Sequence, residues 1–204
     1  MLSILKINIM LTLGQLKEAT CSKSTYASQF LPYIIETCNH FSINTPSRML
    51  NFLAQVGHES GGLFYTEELA SGSAYEGRQD LGNTQKGDGV KFKGRGLIQI
   101  TGRANYKAVS IALGTDFVVN PTFLGGKNVT KCSNVQLKNA AESAAWFWNS
   151  RKLNVLADQI DITKNIDTGN NLVVFKKITK TINGGYNGLP DRLNRYKAGL
   201  SYFL

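Results

Sequence analysis

Thr45-Pro46-Ser47-Arg48-Met49-Leu50-Asn51-Phe52-Leu53-Ala54-Gln55-Val56-Gly57-His58-Glu59-Ser60-Gly61-Gly62 is the stretch on which the reading of this chain turns. Thr45 is suited to an N-cap and Pro46 to the first helical position. Met49, Leu53 and Val56 then recur at helical spacing. Glu59, three residues past Val56, borders the buried stripe. Paired glycines stop helices and permit positive φ, so the helix is expected to end at Glu59 and the chain to turn back. Nine residues after Glu59 comes Glu68. On one continuous helix the two carboxyls would face opposite ways, roughly 13 Å apart. Gly61-Gly62 removes that obstacle to their pairing.

Helical patterns dominate the rest. Residues 11 to 42 read as two helices, the second over Ala27 to Phe41 with Phe30, Ile34, Ile35 and Cys38 on one side. Ala104 to Leu113 is expected to be helical, and Leu97 to Thr101 to begin a short strand or helix. Ser133 and Gln136 form a capping box for a helix over Ser133 to Ser150, with Leu137, Ala141, Ala144 and Trp148 on one face. Asn171 to Ile182 reads as another helix. Residues 61 to 96 are Gly-rich and polar, and a long irregular segment of that kind usually carries function. The fold expected is mainly α: a single domain over 1–204 with a cleft between a helical body and a Gly-rich lobe.

The charge-bearing residues fit one chemistry. Two carboxyls, followed by the polar segment Lys93-Gly94-Arg95-Gly96-Leu97-Ile98-Gln99-Ile100-Thr101-Gly102, are the parts that hydrolysis of a glycosidic bond uses. One carboxyl protonates the leaving oxygen; the other activates water or attacks the sugar. His58 invites a metal reading, but His40 is the only other histidine and no His-Glu-x-x-His pattern is present, so a structural hydrogen bond is expected. Gly94-Arg95-Gly96 lacks the Walker lysine of a phosphate loop. Trp146 and Trp148 diverge by about 200° on a helix, so they cannot share one wall, and Trp148 is assigned to the core. Tyr65, Tyr75 and Tyr106 are the aromatic candidates for a cleft.

Composition bounds the partners. Hydrophobic residues make up 42% and charged residues 18% of the 204, an ordinary globular balance. The net charge of +9 suits a polyanionic partner. The basic residues are scattered, no nucleic-acid-binding signature accompanies them, and nucleic acid is not the expected partner. The three cysteines, Cys21, Cys38 and Cys132, show neither metal spacing nor a full disulfide framework. Met1 to Leu16 is apolar but too short to span a membrane, and it lacks a clear cleavage site. Residues 1–9 read as an N-terminal extension before a start at Met10. Synthesis in the cytoplasm without a signal peptide is expected, with no stable membrane insertion.

Ala54 to Gly62, Tyr75-Glu76-Gly77-Arg78, Asp80-Leu81-Gly82-Asn83-Thr84 and Phe92 to Tyr106 together resemble glycoside hydrolase family 19. The likeness is to its bacterial and bacteriophage branch, which includes endolysins, and it covers about residues 45–200. The resemblance implies a lysozyme-like fold and inverting cleavage of β-1,4 links between N-acetylated amino sugars. It implies Glu59 as general acid and Glu68 as second carboxylate. Plant members place that group nearer Glu76, the alternative here, with Glu67 a distant third. The phage pattern has a hydroxyl residue after the second glutamate, where this chain has Ala70, with Ser71 as the substitute. Gln99, Thr101, Asn105 and Tyr106 match the polar row that binds substrate, and Asn183 and Arg192 match C-terminal polar partners that are expected to bind substrate too. No metal or cofactor is implied. The implied substrate is the glycan strand of peptidoglycan, with chitin as the alternative. The implied site of action is the periplasm or cell wall after release, and the chain is expected to act as a monomer. The reading from another class is a non-catalytic wall-binding protein, and the presence of both carboxyls and the polar row weighs against it.

Overall fold

The computed structural model describes residues 10–204; the N-terminal extension read over residues 1–9 lies outside them. Thr12 opens the first helix through a capping box with Gln15, and α1 runs Leu13–Thr20. α2 follows as Ser24–His40 and α3 as Pro46–Glu59. Thr45 caps α3 by accepting a hydrogen bond from the Arg48 N–H, with Pro46 at its first turn, as the sequence indicates.

α3 buries more than the expected stripe. Every residue from Met49 to Gly57 is buried, including the polar Asn51 and Gln55. A helix covered on all sides lies in the middle of its domain. Here α3 packs against α1 on one side and against α9 (Leu189–Leu200) on another. The approach to α1 is close: a Cβ on Gly57 would stand 2.7 Å from the Thr20 Cα. Any side chain at position 57 would push the two helices apart.

The remaining helices complete the body. α4 is one turn, Asp88–Lys91; α5 spans Arg103–Leu113; α6 spans Asn134–Ser150; α7 spans Leu153–Ala157; α8 spans Gly169–Asn183. Ser133 and Gln136 form the expected capping box at α6. α6 lies along α2. Trp148 of α6 is fully buried and meets Phe52 of α3 edge-on, with ring centroids 5.5 Å apart. Each such buried side chain contributes about 1.5–3 kcal/mol. Phe175 of α8 and Tyr196 of α9 meet similarly at 5.7 Å.

No strand occurs among the described residues. Leu97 to Thr101 forms neither the short strand nor the helix expected of it. It is a tight turn closed by an isolated bridge between Arg95 and Ile100. Gln99 takes a left-handed φ of 57° there, which a strand does not allow. Residues 61 to 102 form the irregular lobe, interrupted by short 3-10 turns and α4. The architecture is thus mainly helical, with the Gly-rich lobe set beside the C-terminal end of α3.

Candidate active site

Glu59 is the last residue of α3, and the way α3 ends positions both carboxyls. Gly61, Gly62 and Leu63 take φ of 59°, 70° and 62° in succession. The Gly62 N–H donates back to the Gly57 carbonyl at 2.7 Å, and the Leu63 N–H donates to Ser60 Oγ at 2.9 Å. Two glycines make that run of left-handed residues affordable. The chain then doubles back, with Phe64 and Tyr65 N–H both donating to the Ser60 carbonyl. It delivers Glu67 and Glu68 to the Lys93–Arg95 turn.

The Glu59 side chain is 16% exposed and pairs through Oε1 with the guanidinium of Arg192, which is completely buried. Arg192 is itself fixed, donating to Gln55 Oε1 at 2.6 Å and to the Asn187 carbonyl. Gln55 donates in turn to Thr179 Oγ1 at 3.1 Å. Gln55 and Glu59 are four apart on α3 and share a face. A guanidinium this buried, with two further acceptors, holds the Glu59 carboxyl in one place, and the substrate contact expected of Arg192 is corrected to the positioning of Glu59.

Next to this pair lies a second. His58 Nδ1 stands 2.6 Å from Asp191 Oδ2, which also accepts from Arg195 Nε at 2.7 Å. Burial works to raise the Asp191 carboxyl, but Arg195 and His58 outweigh it and the group titrates below the usual carboxylate range. His58 therefore has the structural partner that the sequence reading expected of it. The two adjacent pairs tie the end of α3 to the start of α9.

Glu68 has a different environment. Its Oε1 accepts from the Tyr75 hydroxyl at 2.9 Å and its Oε2 from the Gly94 N–H at 3.1 Å. The Glu68 N–H donates to the Gly94 carbonyl at 2.9 Å. Gly94 lets both side chains approach: a Cβ there would stand 2.7 Å from Gln99 Oε1 and 3.3 Å from Glu68 Oε2. Glu68 and Gln99 therefore meet over the same glycine.

The alternatives to Glu68 are engaged in structure. Glu67 pairs with Lys93 at 3.0 Å and Arg95 at 2.8 Å, and all three side chains are largely buried. Glu76 clamps a loop, its two oxygens accepting from the Gly87 and Gly89 N–H groups at 2.6 and 2.8 Å. Ser71 is exposed and bonds Ser73 at 2.9 Å.

The polar row divides. Thr101 Oγ1 donates to the Gln99 carbonyl at 2.9 Å, Gln99 Nε2 to the Gly96 carbonyl at 3.0 Å, and Asn105 Nδ2 to the Thr101 carbonyl at 2.8 Å. All three side chains are partly exposed. Tyr106 is not. It is fully buried, donates to the Lys93 carbonyl at 2.7 Å and accepts from Arg95 at 3.0 Å. The substrate contact expected of Tyr106 is therefore corrected to support of the turn beneath Glu68. Burial drives its hydroxyl pKa well above the ordinary value. Asn183 ends α8 and is exposed.

Sequence reasoning missed Gln55, Lys93 and the Asp88–Arg103 pair. Gln55 was findable, since a polar residue four before Glu59 falls on the same face. The other two depend on loop contacts that no periodicity reveals. Among the described residues no group of three or more His, Cys, Asp or Glu side chains is arranged to hold a metal ion. The three cysteines are free thiols, and burial pushes the Cys38 thiol up to about 12.

Comparison with known proteins matches the chain to a family. The family model for glycoside hydrolase family 19, described as chitinase class I, matches residues 43–197. A glycosyl hydrolase family 19 domain-containing protein of Haemophilus influenzae is 32% identical over 178 residues, covering 72% of this chain and 76% of that protein. Endochitinase At2g43620 of Arabidopsis thaliana is 32% identical over 150 residues, covering 71% of this chain but 44% of the plant protein. The chain thus spans under half of that plant relative. The crystal structure of chitinase C from Streptomyces griseus HUT6037 shares the fold, with a TM-score of 0.62 at 22% identity over 94% of this chain and 76% of that one. The helical, lysozyme-like architecture, the match across residues 43–197 and the Haemophilus relative lead to one conclusion: the chain belongs to glycoside hydrolase family 19 and is a glycoside hydrolase.

Proposed function

We propose that this enzyme cleaves β-1,4 links between N-acetylated amino sugars in bacterial peptidoglycan, acting within the strand, with Glu59 as general acid and Glu68 as general base. The observation that carries the roles is the contrast between the two carboxyls. Glu59 gives Oε1 to Arg192, while its Oε2 has no hydrogen-bond partner among the described residues. That second oxygen is the one to carry a proton to the leaving oxygen. Glu68 accepts hydrogen bonds on both oxygens from neutral donors, an environment that orients a carboxylate to take a proton from water. Each carboxylate oxygen has two lone pairs, so one on each remains for that water.

Gln99 stands across Gly94 from Glu68 and Thr101 donates to the Gln99 carbonyl, and the two are assigned to the water and the substrate's acetamido group. Arg192 and Gln55 keep Glu59 in place. The positive charge that develops on the sugar ring is met by the Glu68 carboxylate, and the acid–base route proposed uses no metal or cofactor.

Peptidoglycan is favoured as substrate by charge. The net +9 suits a polymer that carries carboxylates, whereas chitin carries none. The second reading is chitin, and the Arabidopsis endochitinase relative supports it. Release into the periplasm or onto the wall, and action as a monomer, complete the proposal.

Clearing of bacterial wall and of chitin in renaturing gels separates the substrates, with Glu59→Gln alongside. The expected result is wall clearing by the parent and loss of at least a hundredfold in the variant, whose shape is kept while its proton donor is gone. Equal clearing by both proteins would overturn the acid role. Clearing of chitin alone would make chitin the substrate. Mass spectrometry of the released fragments then shows which sugar bears the new reducing end.

A further inference from the structure

We propose that Lys127, with Asn128 and Tyr65, forms a subsite beside Glu68 that receives a carboxylate carried by the glycan. The proposal rests on the peptidoglycan reading and names the group that distinguishes that polymer from chitin.

A concavity of about 260 Å³ opens next to Glu68, and its wall includes Tyr65, Glu67, Lys93, Lys127 and Asn128. The charges in it are unequally engaged. Lys93 Nζ is consumed: it meets Glu67 at 3.0 Å and the carbonyls of Glu68 and Ala70 at 3.1 and 3.3 Å. Arg95, outside that wall, is consumed by Glu67, the Lys91 carbonyl and Tyr106. Lys127 is exposed and has no ion-pair or hydrogen-bond partner among the described residues. Two further donors are in the same condition. Asn128 uses its Oδ1 to accept from the Thr130 N–H and hydroxyl, at 3.0 and 2.7 Å, which leaves its Nδ2 uncommitted. The Tyr65 hydroxyl also has no partner among the described residues. One cation and two neutral donors without internal acceptors suit a bound anion with several oxygens, such as a carboxylate.

The backbone that carries the donors is held in place rather than left as a free loop. The Val129 N–H donates to the Phe64 carbonyl at 2.8 Å, and Thr66 Oγ1 donates to the Gly126 carbonyl at 2.6 Å. Gly125 lies so close that a Cβ there would be 2.3 Å from the Thr66 carbonyl oxygen. Residues 125–129 are thus stitched to residues 64–66, the strip that leads into Glu68. A sugar held at Glu68 would present its side substituents to Lys127. In peptidoglycan those substituents carry carboxylates, from the lactyl ether of the ring or from its peptide; in chitin they carry none.

Kinetics on soluble glycan fragments test this with Lys127→Ala, Lys127→Glu and Lys127→Arg. The substrates are fragments with their peptides, the same fragments with all carboxyls amidated, and strands stripped by an amidase to the lactyl carboxylate. Amidation is expected to raise the parent's KM about threefold, the size of one exposed charge contact. Lys127→Ala should show the higher KM already on intact fragments and respond little to amidation. Lys127→Glu should be worse on intact fragments, and Lys127→Arg should resemble the parent. If the stripped strands keep the parent's low KM, the lactyl group is the ligand; if they lose it, the peptide is. A loss in Lys127→Ala that is equal on intact and amidated fragments, or that falls on kcat alone, overturns the subsite. It would mean that Lys127 acts on Glu68 or on the fold. A parent that cleaves chitin oligosaccharides but no peptidoglycan fragment overturns the substrate reading, and the subsite with it.

Discussion

Glu67 and Glu68 are neighbours in the chain with opposite fates. Glu67 turns inward to two cations, Lys93 and Arg95, and serves the fold. Glu68 turns to a hydroxyl and a backbone N–H. Removing charge from the two should therefore give different phenotypes. Glu68→Gln is expected to cost on the order of 10²–10⁴ in kcat with an unchanged melting temperature. Glu67→Gln leaves Arg95 and Lys93 short of an acceptor and is expected to destabilise by roughly 3 kcal/mol. Glu76→Gln weakens a loop clamp and should lower kcat by less than about threefold, since it touches neither Glu59 nor Glu68. Steady-state rates and thermal melts on the three variants check all of this. If Glu76→Gln is the dead variant and Glu68→Gln works, the second carboxylate is Glu76, as in the plant pattern.

Among the elements, the Gly-rich lobe is tied to α5 by an ion pair. Asp88, at the start of α4, is almost fully buried and meets Arg103, at the start of α5, through two hydrogen bonds of 2.8 and 2.5 Å. The Arg103 guanidinium holds the Asp88 carboxyl below its ordinary 3.8, against the opposing effect of burial. A depressed folded-state pKa contributes stability that is complete above the unfolded value and is lost as pH falls through the folded one. The Asp88 contribution is therefore present above about pH 4 and disappears below it. Asp88→Asn is expected to lower the melting temperature by roughly 4–8 °C at pH 6 and to shrink the fall between pH 4 and pH 2.5. A variant whose melting temperature tracks the parent's at both ends would show the pair to be inert. Local chemistry decided which elements were legible. α3 was readable because Thr45, Pro46 and Gly61-Gly62 mark its ends, and α6 because Ser133 and Gln136 cap it. α9 went unread. It starts after Gly188 with no side-chain cap, although Pro190 in its first turn and Leu193, Tyr196 and Leu200 at helical spacing were available signals. Tyr106 was misplaced because a tyrosine beside a polar row reads alike whether its ring faces solvent or core. Only the packing of Phe92, 5.1 Å away between ring centroids, separates the two.

At the scale of the whole molecule, the site joins two bodies of different character. Glu59 belongs to the buried helical core: α3 supplies it, α9 supplies Arg192, and Thr179 of α8 backs Gln55. Glu68 belongs to the irregular lobe, where the 93–101 turn and Tyr75 hold it. The Gly61-Gly62 turn that separates the carboxyls in the chain also leaves them with different partners, Arg192 for Glu59 and the Tyr75 hydroxyl and Gly94 N–H for Glu68. A nucleophilic carboxylate would have to come within about 5 Å of its partner, whereas a base needs room for a water, at roughly 6.5–9.5 Å. Glu68 is tied down by two donors and has Gln99 across Gly94 from it, which suits holding a water more than closing on a sugar. Inversion is therefore the expected outcome. Proton NMR during the first minutes of hydrolysis should show the α-anomer of the new reducing end, with the β-anomer arising only later by mutarotation. A β-anomer at the earliest time points would make Glu68 a nucleophile and the mechanism a retaining one.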